Sequence, residues 1–78
     1  MKKYLFDVQS VREITVLDEK LETVPVLRFI VMGPDNQLRL IYIKKNNKSI
    51  TEIKQELIKR LVYMTGLKES EIEVSGWG

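Results

Sequence analysis

The sequence predicts an α+β fold: a mainly antiparallel sheet in β-β-β-α-β order with one long C-terminal helix on one face. Three observations carry that expectation. Ser49 to Gly66 has the spacing of an amphipathic helix with both ends marked. Val24–Met32 and Leu38–Lys44 flank the turn-forming run Gly33-Pro34-Asp35-Asn36. Tyr4, Phe6 and Val8 near the start, and Ile72 and Val74 near the end, alternate with period two. A chain of 78 residues is expected to form a single domain over residues 1–78, at a size where one core is just sufficient.

Lys3–Gln9 reads as a strand, with Tyr4, Phe6 and Val8 on one face and Leu5, Asp7 and Gln9 on the other. Ser10–Leu21 admits two assignments. As a helix it has a capping box, Ser10 with Glu13, and a stripe of Val11, Ile14, Leu17 and Leu21. A helix there leaves Val16 in solvent and puts Asp18 inside the apolar arc. The β-branched run Ile14-Thr15-Val16 favours a strand over about Val11–Leu17, ended by the polar turn Asp18-Glu19-Lys20. A strand gives β-β-β-β-α-β, or β-β-β-α-β if residues 3–17 form one long bent strand. A helix gives the ferredoxin-like order β-α-β-β-α-β.

Across Gly33-Pro34-Asp35-Asn36 an even-numbered connection sorts the side chains of the next two strands. Leu27, Phe29 and Val31 then share a face with Leu38, Leu40 and Tyr42. Val26, Arg28 and Ile30 share the other with Arg39, Ile41 and Ile43. The first face is uniformly apolar and is the expected seat of the helix. The second alternates arginine with aliphatics.

Lys44-Lys45-Asn46-Asn47-Lys48 is a polar connection into the helix. Ser49 and Glu52 form a capping box, each able to satisfy a backbone donor of the first turn. Ile50, Ile53, Leu57, Leu61 and Met64 make the inner stripe, with Glu52, Gln55, Glu56 and Lys59 opposite. Gly66 suits the left-handed position after the last turn, and Leu67 can fold back onto Leu61 or Val62. Tyr63 stays on the outer face without an assigned role. Glu71–Ser75 is a short closing strand, and Gly76-Trp77-Gly78 follows it.

A hairpin, a helix entered at Lys48-Ser49-Ile50-Thr51-Glu52-Ile53 and a final strand together resemble the ubiquitin-like β-grasp order over roughly residues 24–74. The resemblance lies in element order. Sulfur carriers and modifiers of that class end in Gly-Gly, whereas this sequence ends Gly-Trp-Gly, so no carrier role is expected.

Composition narrows the function classes. There is no cysteine and no histidine, which removes thiolate sites, the commonest general base and most transition-metal sites. The acidic knots Asp18/Glu19/Glu22 and Glu69/Glu71/Glu73 fall at a turn and on a wet strand face, where a catalytic carboxylate pair has no buried member. Four glycines cannot write a phosphate-binding loop, and no serine has a histidine to activate it. The expectation is a non-enzymatic protein with no cofactor and no metal. The apolar runs Val24–Leu27 and Phe29–Met32 are too short to span a bilayer, and Asp7 interrupts any leader begun by Met1-Lys2-Lys3, so a cytoplasmic protein is expected.

A binding module is left. Arginine beside aliphatics is a common interface composition, so Arg28, Arg39, Ile41 and Ile43 are the candidate partner-binding residues; Trp77 either joins them as an aromatic anchor or, as the small core favours, folds back over an edge of the core. The partner is another protein or a second copy, because a homodimer would bury area that a small domain leaves wet. The alternative is a nucleic acid. Residues 39–60 carry seven basic side chains against two acidic ones, and Arg28, Arg39, Lys44, Lys45 and Lys48 could track phosphates.

Overall fold

The computed structural model describes residues 2–77. Met1 and Gly78, the outer members of the Met1-Lys2-Lys3 and Gly76-Trp77-Gly78 runs, lie outside the described residues. Four strands and one long helix follow in the order β1 (Tyr4–Leu17), β2 (Thr23–Met32), β3 (Leu38–Lys44), α1 (Ile50–Thr65) and β4 (Ile72–Ser75), with a single 3₁₀ turn at Glu69–Glu71. The sheet order is β3-β2-β1-β4. Neighbours are antiparallel except β1 and β4, which run parallel, so the chain crosses the sheet through α1 before its last strand.

Residues 10–17 are therefore strand, and the ferredoxin-like alternative does not hold. The β-branched run Ile14-Thr15-Val16 pairs with Val24, Pro25 and Val26, and β1 is one long strand from Tyr4 to Leu17. Asp18 closes the hairpin by accepting from the backbone amides of Lys20 and Glu22, both at 2.9 Å. The β1–β2 ribbon runs beyond the other strands, and the molecule is 44 Å long against widths of 22 and 21 Å.

A bulge bends β1. Val8 pairs with Val31 but Ser10 pairs with Ile30, which leaves Gln9 as an extra residue. The extra residue switches the alternation. Phe6 and Val8 point under the helix before it, whereas Val11 does so after it, and Ser10, Arg12, Ile14 and Val16 turn to the opposite face.

The β2–β3 connection makes the second switch. Met32 pairs with Leu38, so Gly33–Gln37 is a five-residue turn and not an even-numbered one. The Asn36 amide donates to the Gly33 carbonyl, the Gly33 amide donates to the Gln37 carbonyl, and Asn36 takes a left-handed φ of 63°. An odd connection turns β3 over relative to the expected sorting. Phe29 lies opposite Ile41 and Leu27 opposite Ile43, so Ile41 and Ile43 face α1 while Leu38, Leu40 and Tyr42 face away.

Under the helix, Phe6, Phe29, Val31, Ile41, Ile43, Ile53, Leu57 and Leu61 are almost wholly buried and form one core with Val8 and Ile72. Three of the five stripe residues of α1 seal it, while Ile50 and Met64 at the two ends stay exposed. Both caps form as their residues dictate. Ser49 Oγ accepts from the Glu52 amide, Glu52 Oε1 accepts from the Ser49 amide, and Gly66 ends the helix at φ 76° with its amide on the Val62 carbonyl.

Trp77 covers the edge of this core. Its ring meets Phe29 edge-on, at 5.1 Å between centroids and 85° between planes. The turn that returns it needs Gly76, whose φ is 84° and where a Cβ would lie 2.6 Å from the Val8 carbonyl oxygen. Gly76→Ala is expected to release the sole tryptophan and red-shift its fluorescence. Adjacent positions of β3 provide a sharper check on the facing. In urea titrations Ile41→Ala should lose about 2–5 kcal/mol of stability, whereas Leu40→Ala should stay within about 0.5 kcal/mol.

Candidate functional site

With α1 on one side, the other side of the sheet is an open face built from rows that cross β1, β2 and β3. Ile14–Val26–Lys44 is one row, Arg12–Arg28–Tyr42 the next, and Ser10–Ile30–Leu40 the third. Met32 and Leu38 pair beyond them. The face is mostly branched or aromatic carbon, with Leu38 59%, Leu40 56% and Tyr42 43% exposed along the β3 edge. Val26 is the exception at 4%, sheltered by its neighbours although it lies outside the helix-side core.

A groove of about 670 Å³ follows the β3 edge, between Leu40 and Tyr42 and the outer flank of α1 at Lys59, Arg60, Tyr63 and Met64. A second hollow of about 380 Å³ shares Tyr42, Glu56 and Arg60 with it and reaches Val16 and Val26. The groove is thus continuous with the open face. Tyr63, 90% exposed and without a part in the core, lines it.

The expected binding residues separate. Ile41 at 2% and Ile43 at 0% exposure are core residues beneath the helix, not surface ones, because the odd turn inverts β3. Arg39 goes with them to the helix side. Its guanidinium lies 5.6 Å from the centre of the Phe6 ring and grips Asp35 with two hydrogen bonds, of 2.8 and 3.2 Å. It caps the end of the core and locks the β2–β3 turn. Trp77 packs on Phe29 inside the same chain. Of the five candidates only Arg28 stands on the open face.

The basic stripe is likewise divided. Lys45 pairs with Glu13 at 2.7 Å, Lys48 with Glu56 at 2.5 Å, and Arg39 with Asp35. Arg28 and Lys44 are the members on the open face, and Arg12, which the sequence pattern did not single out, joins them there. The signal that could have found Arg12 is the bulge, since without it Arg12 falls on the helix side.

The Asp35–Arg39 pair sets a pH dependence. Hydrogen bonds from the Arg39 side chain, then from the Gln37 amide, lower the Asp35 carboxyl from 3.8 to about 2. Folding therefore favours the ionised form. Its stabilisation is complete above the ordinary value of 3.8 and is lost as pH falls through about 2. Denaturation curves across that acid window should show wild type losing a component of stability that Asp35→Asn lacks.

Among the described residues no helix is long and apolar enough to cross a membrane. Compared with known proteins, the chain matches no protein family, no curated protein and no solved structure.

Proposed function

We propose that the protein is a small, non-enzymatic interaction module whose working surface is the open face of the sheet together with the β3 edge. Another protein, or a second copy of this chain, covers that surface. The observation that carries the reading is the exposure of Leu38, Leu40 and Tyr42 in a row beside Ile30 and Met32, on a sheet whose other face is already sealed. Contiguous exposed apolar area on a small domain favours a partner, because covering it recovers hydrophobic free energy at about 25 cal/mol per Å². The β3 edge adds backbone donors and acceptors that no strand among the described residues pairs on its outer side.

Nucleic acid is the less favoured partner. Three of the five stripe cations are held by carboxylates, and the exposed aromatic and aliphatic side chains of β3 are not arranged around a continuous run of free charge.

A photo-crosslinking residue at position 40 and another at Gln55, on the exposed back of α1, test the proposal together with solution mass at two widely separated concentrations. Position 40 should give a discrete protein adduct or an intersubunit crosslink that Ile30→Glu removes, and position 55 should give neither. A monomer that yields no adduct at position 40 but is retained on single-stranded DNA, with retention falling steeply in salt, overturns the proposal.

A further inference from the structure

We infer that Arg12 and Arg28 form an anchor for a carboxylate on the partner, so that the open face takes an acidic segment of another protein. The inference rests on the open face being the interaction surface and adds the chemistry of what binds there.

The register sets Arg12 directly opposite Arg28, with Tyr42 next in the same row. Like charges in directly opposed strand positions are unfavourable unless an anion lies near both. Among the described residues neither arginine makes an ion pair or hydrogen bond with a carboxylate, whereas Arg39, Lys45, Lys48 and Arg60 each reach one. The Arg28 Nε is buried and hydrogen-bonds to nothing among the described residues. A guanidinium with no carboxylate in reach is a charge that a carboxylate arriving at its terminal nitrogens, which are not among the buried atoms, would pair.

The surroundings identify the source of the carboxylate. Ile14 and Val26 flank the pair on one side, and Ile30 and Leu40 on the other. A carboxylate there would be carried between apolar side chains, which an Asp or Glu within a hydrophobic protein segment provides and a phosphate backbone does not. The guanidinium fork donates to a carboxylate in bidentate fashion, and exclusion of water by the aliphatic side chains beside it strengthens each bond. A second copy is a poor occupant. The acids that share the open face, Asp7 and Glu73, sit towards β4, and Asp7 is already engaged by Gln9 at 2.7 Å and Ser75 at 3.0 Å. Stacking two copies would set arginine rows against each other without these acids between them.

Amide chemical-shift mapping of the full chain tests this, using a synthetic peptide that alternates valine with glutamate, its glutamine counterpart and a single-stranded oligonucleotide. The glutamate peptide should shift Arg12, Arg28, Tyr42 and their neighbours, and the glutamine peptide should bind at least about tenfold more weakly, as loss of a charge-assisted pair implies. Arg28→Met should abolish the difference between the two peptides while melting no lower than wild type, which separates lost binding from lost folding. Equal binding of both peptides on the open face overturns the carboxylate anchor but leaves the interaction surface standing. Assembly into a dimer that buries the arginine row, or no shift with the glutamate peptide, also overturns the anchor. Shifts with the oligonucleotide alone overturn both the anchor and the interaction surface.

Discussion

One helix has to seal a sheet whose strands carry apolar side chains on both sides, and the rest of the structure follows from how that conflict is resolved. The inner stripe of α1 is narrow, with Ile53, Leu57 and Leu61 at its centre. It covers Phe6 and Val8 of β1, Phe29 and Val31 of β2, Ile41 and Ile43 of β3, and Ile72 of β4. A helix presents about a third of its circumference to a core, so a second apolar layer cannot be covered by the same element. What α1 does not cover, Leu38, Leu40 and Tyr42 among it, is left exposed on the other side of the sheet.

Two local irregularities decide which residues win a place under the helix. The Gln9 bulge reverses the alternation of β1, and the five-residue Gly33–Gln37 turn sets that of β3. Arg39 ties the second device to the core, since one side chain both covers Phe6 and holds Asp35 in the turn. Its position also accounts for a charged residue on the buried side. The guanidinium lies at the end of the core and its fork is satisfied by a carboxylate, so its aliphatic stem is buried without isolating the charge.

The legible parts of the sequence were those with a single chemical solution. Ser49 with Glu52 and Gly66 admit few alternatives to helix caps, and both formed. The strand pair around Gly33-Pro34-Asp35-Asn36 and the strand character of Ile14-Thr15-Val16 were likewise readable. The facing of β3 was not, because Leu38, Leu40 and Tyr42 are as apolar as Ile41 and Ile43, and hydrophobicity gives no preference between them. Only turn length distinguishes the two, and one residue in a turn inverts a whole strand. The structure moves Ile41, Ile43 and Arg39 out of the candidate surface and puts Leu40 and Tyr42 into it. Trp77 was ambiguous for a different reason: its place depends on the left-handed Gly76 and on a distant ring, Phe29.

Charge separates the two sides of the sheet as clearly as burial does. On the helix side, or in the loops beside it, cations meet carboxylates: Arg39 with Asp35, Lys45 with Glu13, Lys48 with Glu56. These pairs are local or bring neighbouring elements together, and each agrees with the fold around it. On the open face Arg12 and Arg28 oppose one another beside aliphatic side chains, and the Arg28 Nε is buried without a hydrogen-bond partner among the described residues. A sequence under pressure for stability alone would replace either arginine with an aliphatic residue, since the nearest side chains of the flanking rows, Ile14, Val26, Ile30 and Leu40, are aliphatic. Natural sequences tolerate such local conflict mainly where a surface is used for something besides folding. The same two positions are therefore where stability and binding should pull in opposite directions, and the proposed carboxylate of a partner would relieve the conflict.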